Sequence, residues 1–245
     1  MIAHHAHSGE QQDVVATRDA SPFHQELAEV DLLLRNSFVD LYPPLSDLAE
    51  SHLRRVQPYL RAAIVIAAGI GSHEEDSKRP QRVALAAALE MQAIALSIHR
   101  LLLEFASEDG SIDRSVLGST ILTGDYCFSR AAVLATHTDS PRVVAIFSQA
   151  LRTISEGHLR RLLENGSTHY DEDRELMSAG VRAAGELVDL SAPAQQTAQA
   201  YIDVALSFTR DNTTRDRKPF PSPPTNHLSA AQQARWCAFV RWLPV

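Results

Sequence analysis

VALAAALEMQAIALSIHRLLLE, residues 83–104, decides how the rest of the chain is read. It is too long for a strand, and its apolar residues crowd every face of a helix, which marks a helix buried in a core. Glu90, Gln92, His99 and Arg100 interrupt it, so it is not expected to span a bilayer. A second apolar helix follows in ILTGDYCFSRAAVLA, residues 121–135, and a third ends in ISEGHLRRL, residues 154–162.

Outward from this centre the apolar spacing stays helical. Ser21-Pro22 is a helix start, with Ser as N-cap and Pro at the first helical position. Leu27, Val30, Leu34, Phe38 and Leu41 then predict a helix reaching Pro43-Pro44, where it stops. Residues 73–82 read as a polar loop. Ser140-Pro141 opens a helix to about Leu163 with an apolar stripe of Val144, Phe147, Leu151, Ile154 and Leu162. Ala192-Pro193 opens another helix, and Ser229 with Gln232 forms a capping-box pattern before Trp236, Phe239 and Trp242. The expected fold class is all-α, with eight to ten helices. Residues 1–20, with His4, His5 and His7 and no apolar period, read as a disordered tail; residues 21–245 read as one domain.

Composition narrows the function classes. A net charge of −7 argues against nucleic acid as a partner. Cys127 and Cys237 are isolated and lack CxxC spacing, which excludes a disulfide framework and a zinc ribbon. The first twenty residues lack the basic end and apolar core of a signal peptide, and the expected location is cytoplasmic. The sequence has no P-loop and no GxGxxG after a strand pattern.

The three central segments, in this order and near this spacing, resemble the trans-isoprenyl (polyprenyl) diphosphate synthase family. Its first helix normally reads E-L-I-H-T-A-S-L-I-H-D-D-x-x-D, its second A-I-L-A-G-D-Y-L, and its third carries E-G-E. The resemblance covers about residues 45–219 and includes RRVQP at 54–58 and ALSF at 205–208. It implies an isoprenoid-synthase-like helical bundle around a central cavity, truncated at the C-terminus relative to the family. Glu90 falls on the leading glutamate, Ala93 on the first histidine and His99 on the second. The aspartate-rich box falls on Arg100 to Glu104, where Glu104 alone is acidic. Asn212 to Asp216 stand at the second aspartate box, with Asp216 the only acid kept there. Glu156-Gly157 match the third helix, and His158 replaces its second acid.

The family ionises an allylic diphosphate with Mg2+, a hard cation that takes carboxylate and phosphate oxygens. With both boxes reduced, the resemblance implies that the Mg2+ ligands are missing here, with no other metal or cofactor expected. Arg100 and Glu104 share a helix face and are expected to pair with each other. Arg54 and Arg55 stand where the family grips diphosphate, and read either as a residual diphosphate site or as a solvated basic turn. Gly124 is expected to let a neighbouring helix come close. Asp125 reads as a hydrogen-bonded structural residue or, alternatively, as a functional acid. The leading expectation is a non-catalytic subunit of a heteromeric prenyl diphosphate synthase, forming a homodimer or a heterodimer with a catalytic paralogue through the apolar stripes at 121–135 and 143–163. Alternatives are a metal-independent isoprenoid- or diphosphate-binding protein using Arg54, Arg55 and Arg100, and a residual prenyltransferase.

Overall fold

The computed structural model describes residues 21–55, 59–71, 77–107, 114–163, 170–211 and 222–243. The expected tail at 1–20 and the second-box positions Asn212 and Asp216 lie outside the described residues, and so do the side chains of Arg54, Arg55 and Glu104. The described residues form helices with no strand: α1 Pro22–Asn36, α2 Pro43–Arg55, α3 Leu60–Ala68, α4 Arg79–Ser107, α5 Arg114–Thr136, α6 Pro141–Leu163, α7 Glu172–Leu187, α8 Ala192–Asp211 and α9 Ala230–Trp242.

The central segment is the centre of the bundle. Every residue from Arg82 to Leu96 in α4 is buried, because α1, α2, α3, α5 and α7 all pack against it. By length and composition α4 could cross a membrane, yet 72% of its most apolar window is buried inside the protein. Two glycines permit the closest approaches. A Cβ on Gly124 would lie 2.1 Å from the His99 ring, so the glycine of the GDY triplet exists to admit a side chain of α4. A Cβ on Gly180 would lie 2.5 Å from Leu89 Cδ2 and 2.9 Å from Val65, which fixes α7 against α3 and α4.

Two boundaries differ from the sequence reading. The first helix ends at Asn36, short of Leu41, because the chain is captured at Ser37. The Ser37 hydroxyl donates to Leu33 O at 2.8 Å, while its carbonyl accepts from the Tyr126 hydroxyl of α5 at 2.5 Å. Pro43-Pro44 therefore opens α2 instead of stopping α1. The fourth helix begins at Arg79, within the stretch read as a loop; Pro80 is tolerated in the first turn, where no intrahelical donor is needed.

The N-terminus of α3 is held in an unusual way. Tyr59 at the N-cap has φ 68°, a strained conformation for a non-glycine residue, and gives α3 no side-chain cap. Its hydroxyl donates to Asp31 of α1. Glu90 supplies the cap from α4, accepting from Ala62 N at 2.9 Å.

At the opposite end of α3, Arg82 and Glu26 form a fully buried pair. Arg82 Nε donates to Glu26 Oε2 at 2.7 Å and its Nη2 to Oε1 at 2.9 Å, while Nη1 donates to Gly69 O at 2.9 Å. Arg235 of α9 reaches the same carboxylate at 2.7 Å, and Gln232 donates to Ile70 O at 3.0 Å. The Ser229 and Gln232 capping box forms as expected, at 3.3 and 2.8 Å. Trp236 and Phe239 of α9 then close an aromatic cluster with Tyr201 of α8.

Candidate functional site

The C-terminal half of α4, α6, the start of α3 and the start of α7 meet in a charged cluster. Asp171 begins α7 by accepting from Arg174 N at 3.1 Å, which places Glu172 and Asp173 in the first turn, where the helix dipole favours negative charge. Arg100 Nη2 donates to Glu172 Oε1 at 2.9 Å, and His158 Nε2 lies 3.0 Å from Oε2. Both oxygens of this carboxylate are thus engaged, one by α4 and one by α6. This contact reaches across the bundle to a residue 72 positions later; the side chain of Glu104, the expected partner, lies outside the described residues. The Glu172 side chain is 10% exposed, so its charge is weakly screened and its pairing stronger than that of a solvated acid.

Beside it, Arg61 of α3 donates to Asp173 and lies 3.5 Å from Glu90. Burial disfavours the Arg61 charge, but Glu90 and Asp173 outweigh it and hold the guanidinium above its ordinary range. Burial pushes the Glu90 carboxyl above the ordinary glutamate range, against the pull of Arg61 and of the Ala62 and Arg61 backbone N–H groups. The Tyr170 ring packs edge-on to His158, at 6.0 Å between centroids, and Gly157 leaves room for it. Burial raises the Tyr170 hydroxyl, and nearby Glu175, Glu172 and Asp171 add to the effect.

His99 lies on α4 against α5, with Nε2 3.5 Å from Ile121 O and 3.4 Å from Asp125. Asp125 is 64% exposed, with His99 at 3.4 Å, while Gly124 and Tyr126 make the close interhelical contacts of the triplet. Cys127 is a buried thiol pushed up to about 12 by burial, which makes it inert at neutral pH. Ala93, at the family's first histidine position, is buried core.

The described side chains around Arg100 do not fit a Mg2+ cluster. Arg100 contributes a fixed positive charge, and the carboxylate it meets, Glu172, has both oxygens committed to Arg100 and His158. Among the described residues no group of three His, Cys, Asp or Glu side chains converges to hold one ion. Sequence reasoning named Arg100 and His158 but missed Glu172, Asp173 and Arg61. The run of acids after Asp171 was visible, while their partners, 72 and 112 residues away, were not.

No protein-family model matches this sequence, and no curated protein does either. Solved structures do match the fold. A polyprenyl synthase from Caulobacter crescentus CB15, complexed with calcium and isoprenyl diphosphate, superposes with a TM-score of 0.60 at 20% identity, covering 77% of this chain. This chain spans 66% of the length of that synthase. A decaprenyl diphosphate synthase from Rhodobacter capsulatus gives 0.62 at 18% identity over 90% of this chain and 83% of its own. A deletion mutant of the heterotetrameric geranyl pyrophosphate synthase of mint gives 0.56 at 14% identity over 90% and 99%. The chain has the all-helical fold of the prenyl diphosphate synthases.

Proposed function

We propose that this chain is a non-catalytic member of the polyprenyl diphosphate synthase family, acting as a subunit beside a catalytic synthase in the cytoplasm. The observation that carries the reading is Arg100 at the first-box position, bonded to Glu172, whose other oxygen faces His158. By the resemblance, a synthase has carboxylates at this sequence position to gather Mg2+ around the departing diphosphate, whereas here Arg100 takes part in an internal ion pair.

A subunit needs a docking face, and α5 supplies one. Val116, Ile121, Leu122 and Val133 are exposed along it, and Val39 and Tyr42 are exposed in the turn that follows Ser37, which Tyr126 and Arg130 tie to α5. The stripe on α6 contributes less than its sequence suggested. Val143, Phe147, Ala150 and Ile154 are buried in the chain's own core, and the outward positions are mostly polar. The interface we propose is therefore centred on α5, used for a homodimer in isolation and a heterodimer with a catalytic paralogue. The heterotetrameric mint synthase offers a precedent for such assembly on this fold.

The alternative of a metal-independent isoprenoid- or diphosphate-binding protein uses Arg54, Arg55 and Arg100; Glu172 holds Arg100, and the side chains of Arg54 and Arg55 lie outside the described residues. Co-expression with a catalytic synthase of the same organism, followed by capture and light scattering, tests the proposal. We expect a stoichiometric complex. A monomer at micromolar concentration with no captured synthase would overturn it.

A further inference from the structure

We propose that His158 is a pH-dependent clasp between α6 and α7, holding the first turn of α7 closed while its imidazole is protonated and loosening that turn when the imidazole is neutral. The clasp is a property of the cluster's own contacts and stands apart from the subunit role.

His158 brings a titratable cation to a carboxylate that is otherwise held by a fixed one. Its Nε2 lies 3.0 Å from Glu172 Oε2, while Arg100 Nη2 holds Oε1 at 2.9 Å. An imidazole changes charge between about pH 5 and about pH 8, a range in which a guanidinium stays charged. In these contacts two guanidinium groups, Arg100 and Arg61, meet three carboxylates, those of Glu172, Asp173 and Glu90. Arg61 feels the charge of all three acids, so the cluster is one electrostatic unit. A protonated His158 supplies the third cation. A neutral one leaves a negative charge uncompensated beside Glu172, whose side chain is 10% exposed and weakly screened.

The surroundings give this range of pH to His158. Its side chain is 32% exposed, so it exchanges protons with solvent. The Tyr170 ring packs edge-on to it, and burial raises that hydroxyl, which stays neutral throughout. On α7 the remaining charges near Glu172 are the acids Asp171 and Glu175 and the guanidinium of Arg174, which is paired with Asp203 of α8. On α6 itself, Arg161, three positions on, is exposed. Glu90 sets the acid side of the window: burial raises its carboxyl, so it takes up a proton before a solvated glutamate would and leaves Arg61 to Asp173. The clasp is therefore tightest between the imidazole range and the range in which Glu90 protonates.

The test is the pH profile of amide hydrogen exchange at Arg174 and Glu175, whose N–H groups close the first turn of α7 on Asp171. Protection factors, which remove the pH dependence of the chemical exchange step, are expected to fall about fivefold in the wild-type chain between about pH 5.5 and about pH 8. His158→Gln keeps a hydrogen-bond donor but cannot gain charge, and its profile is expected to be flat. The Gln233 amide in the first turn of α9, which donates to Ser229 O, is the control and is expected to be flat in both proteins. Circular dichroism checks helix content. If His158→Gln loses helix, Glu172→Gln takes its place: it removes the ionised acceptor and is expected to flatten the profile in the same way. A flat profile in the wild type, an unchanged fall in the folded variant, or an equal fall at Gln233 would each overturn the clasp.

Discussion

Gly124 and Glu90 show how single residues of α4 and α5 set the fold. A methyl group at 124 would overlap His99 at 2.1 Å, so Gly124→Ala gains helix propensity but forces the imidazole out of its contact with Phe128. The expected net loss is about 1–2 kcal/mol by urea unfolding, the upper part of the usual overpacking cost less the propensity gain. Combining it with His99→Ala is expected to recover part of that loss, and strict additivity would show that the two positions do not touch. Glu90 gives a pH signature. Its folded carboxyl is raised by burial, so the folded state takes up a proton more readily than the unfolded chain. That stabilising term is fully present below the unfolded glutamate range and is lost as pH rises through the folded value. Glu90→Gln keeps an oxygen for Ala62 N but cannot titrate. Melting curves are therefore expected to favour the wild type over Glu90→Gln increasingly as pH falls from neutral to below about 4.5; a constant difference across that window would contradict the burial argument.

Among the helices, α9 is attached by charge as well as by aromatic packing. Glu26 of α1 joins Arg82 of α4 and Arg235 of α9 with no exposure of its own carboxylate. Glu26→Ala leaves two arginines around an empty acceptor, and we expect a loss of about 3–5 kcal/mol in chemical denaturation. A loss below about 1 kcal/mol, the value for a surface pair, would show that the network is not buried in solution. Most helices could be read from the sequence, because Ser140-Pro141, Ala192-Pro193 and the Ser229 and Gln232 box carry local capping chemistry. The end of α1 could not, since Ser37 is held by Tyr126, 89 residues away. The candidate site was half legible for the same reason: the loss of acids around Arg100 is visible in one segment, whereas Glu172 and Asp173 acquire meaning only when the fold delivers Arg100, His158 and Arg61 to them.

At the scale of the whole molecule, α4 is buried at the centre of a prenyl synthase fold, Gly124 admits His99, and Arg100 is paired with Glu172. The proposed subunit role predicts that a charge on the outer face of α5 weakens association without unfolding the chain. Leu122 is 61% exposed, so Leu122→Glu is expected to shift light scattering from dimer to monomer with unchanged helix content; an unaltered dimer would move the interface elsewhere. The account turns on the absence of independent catalysis. The most direct measurement is condensation of isopentenyl diphosphate with farnesyl diphosphate by the pure chain across a Mg2+ titration. The account predicts no product at any concentration, and Mg2+-dependent product that disappears with Glu104→Ala would contradict it.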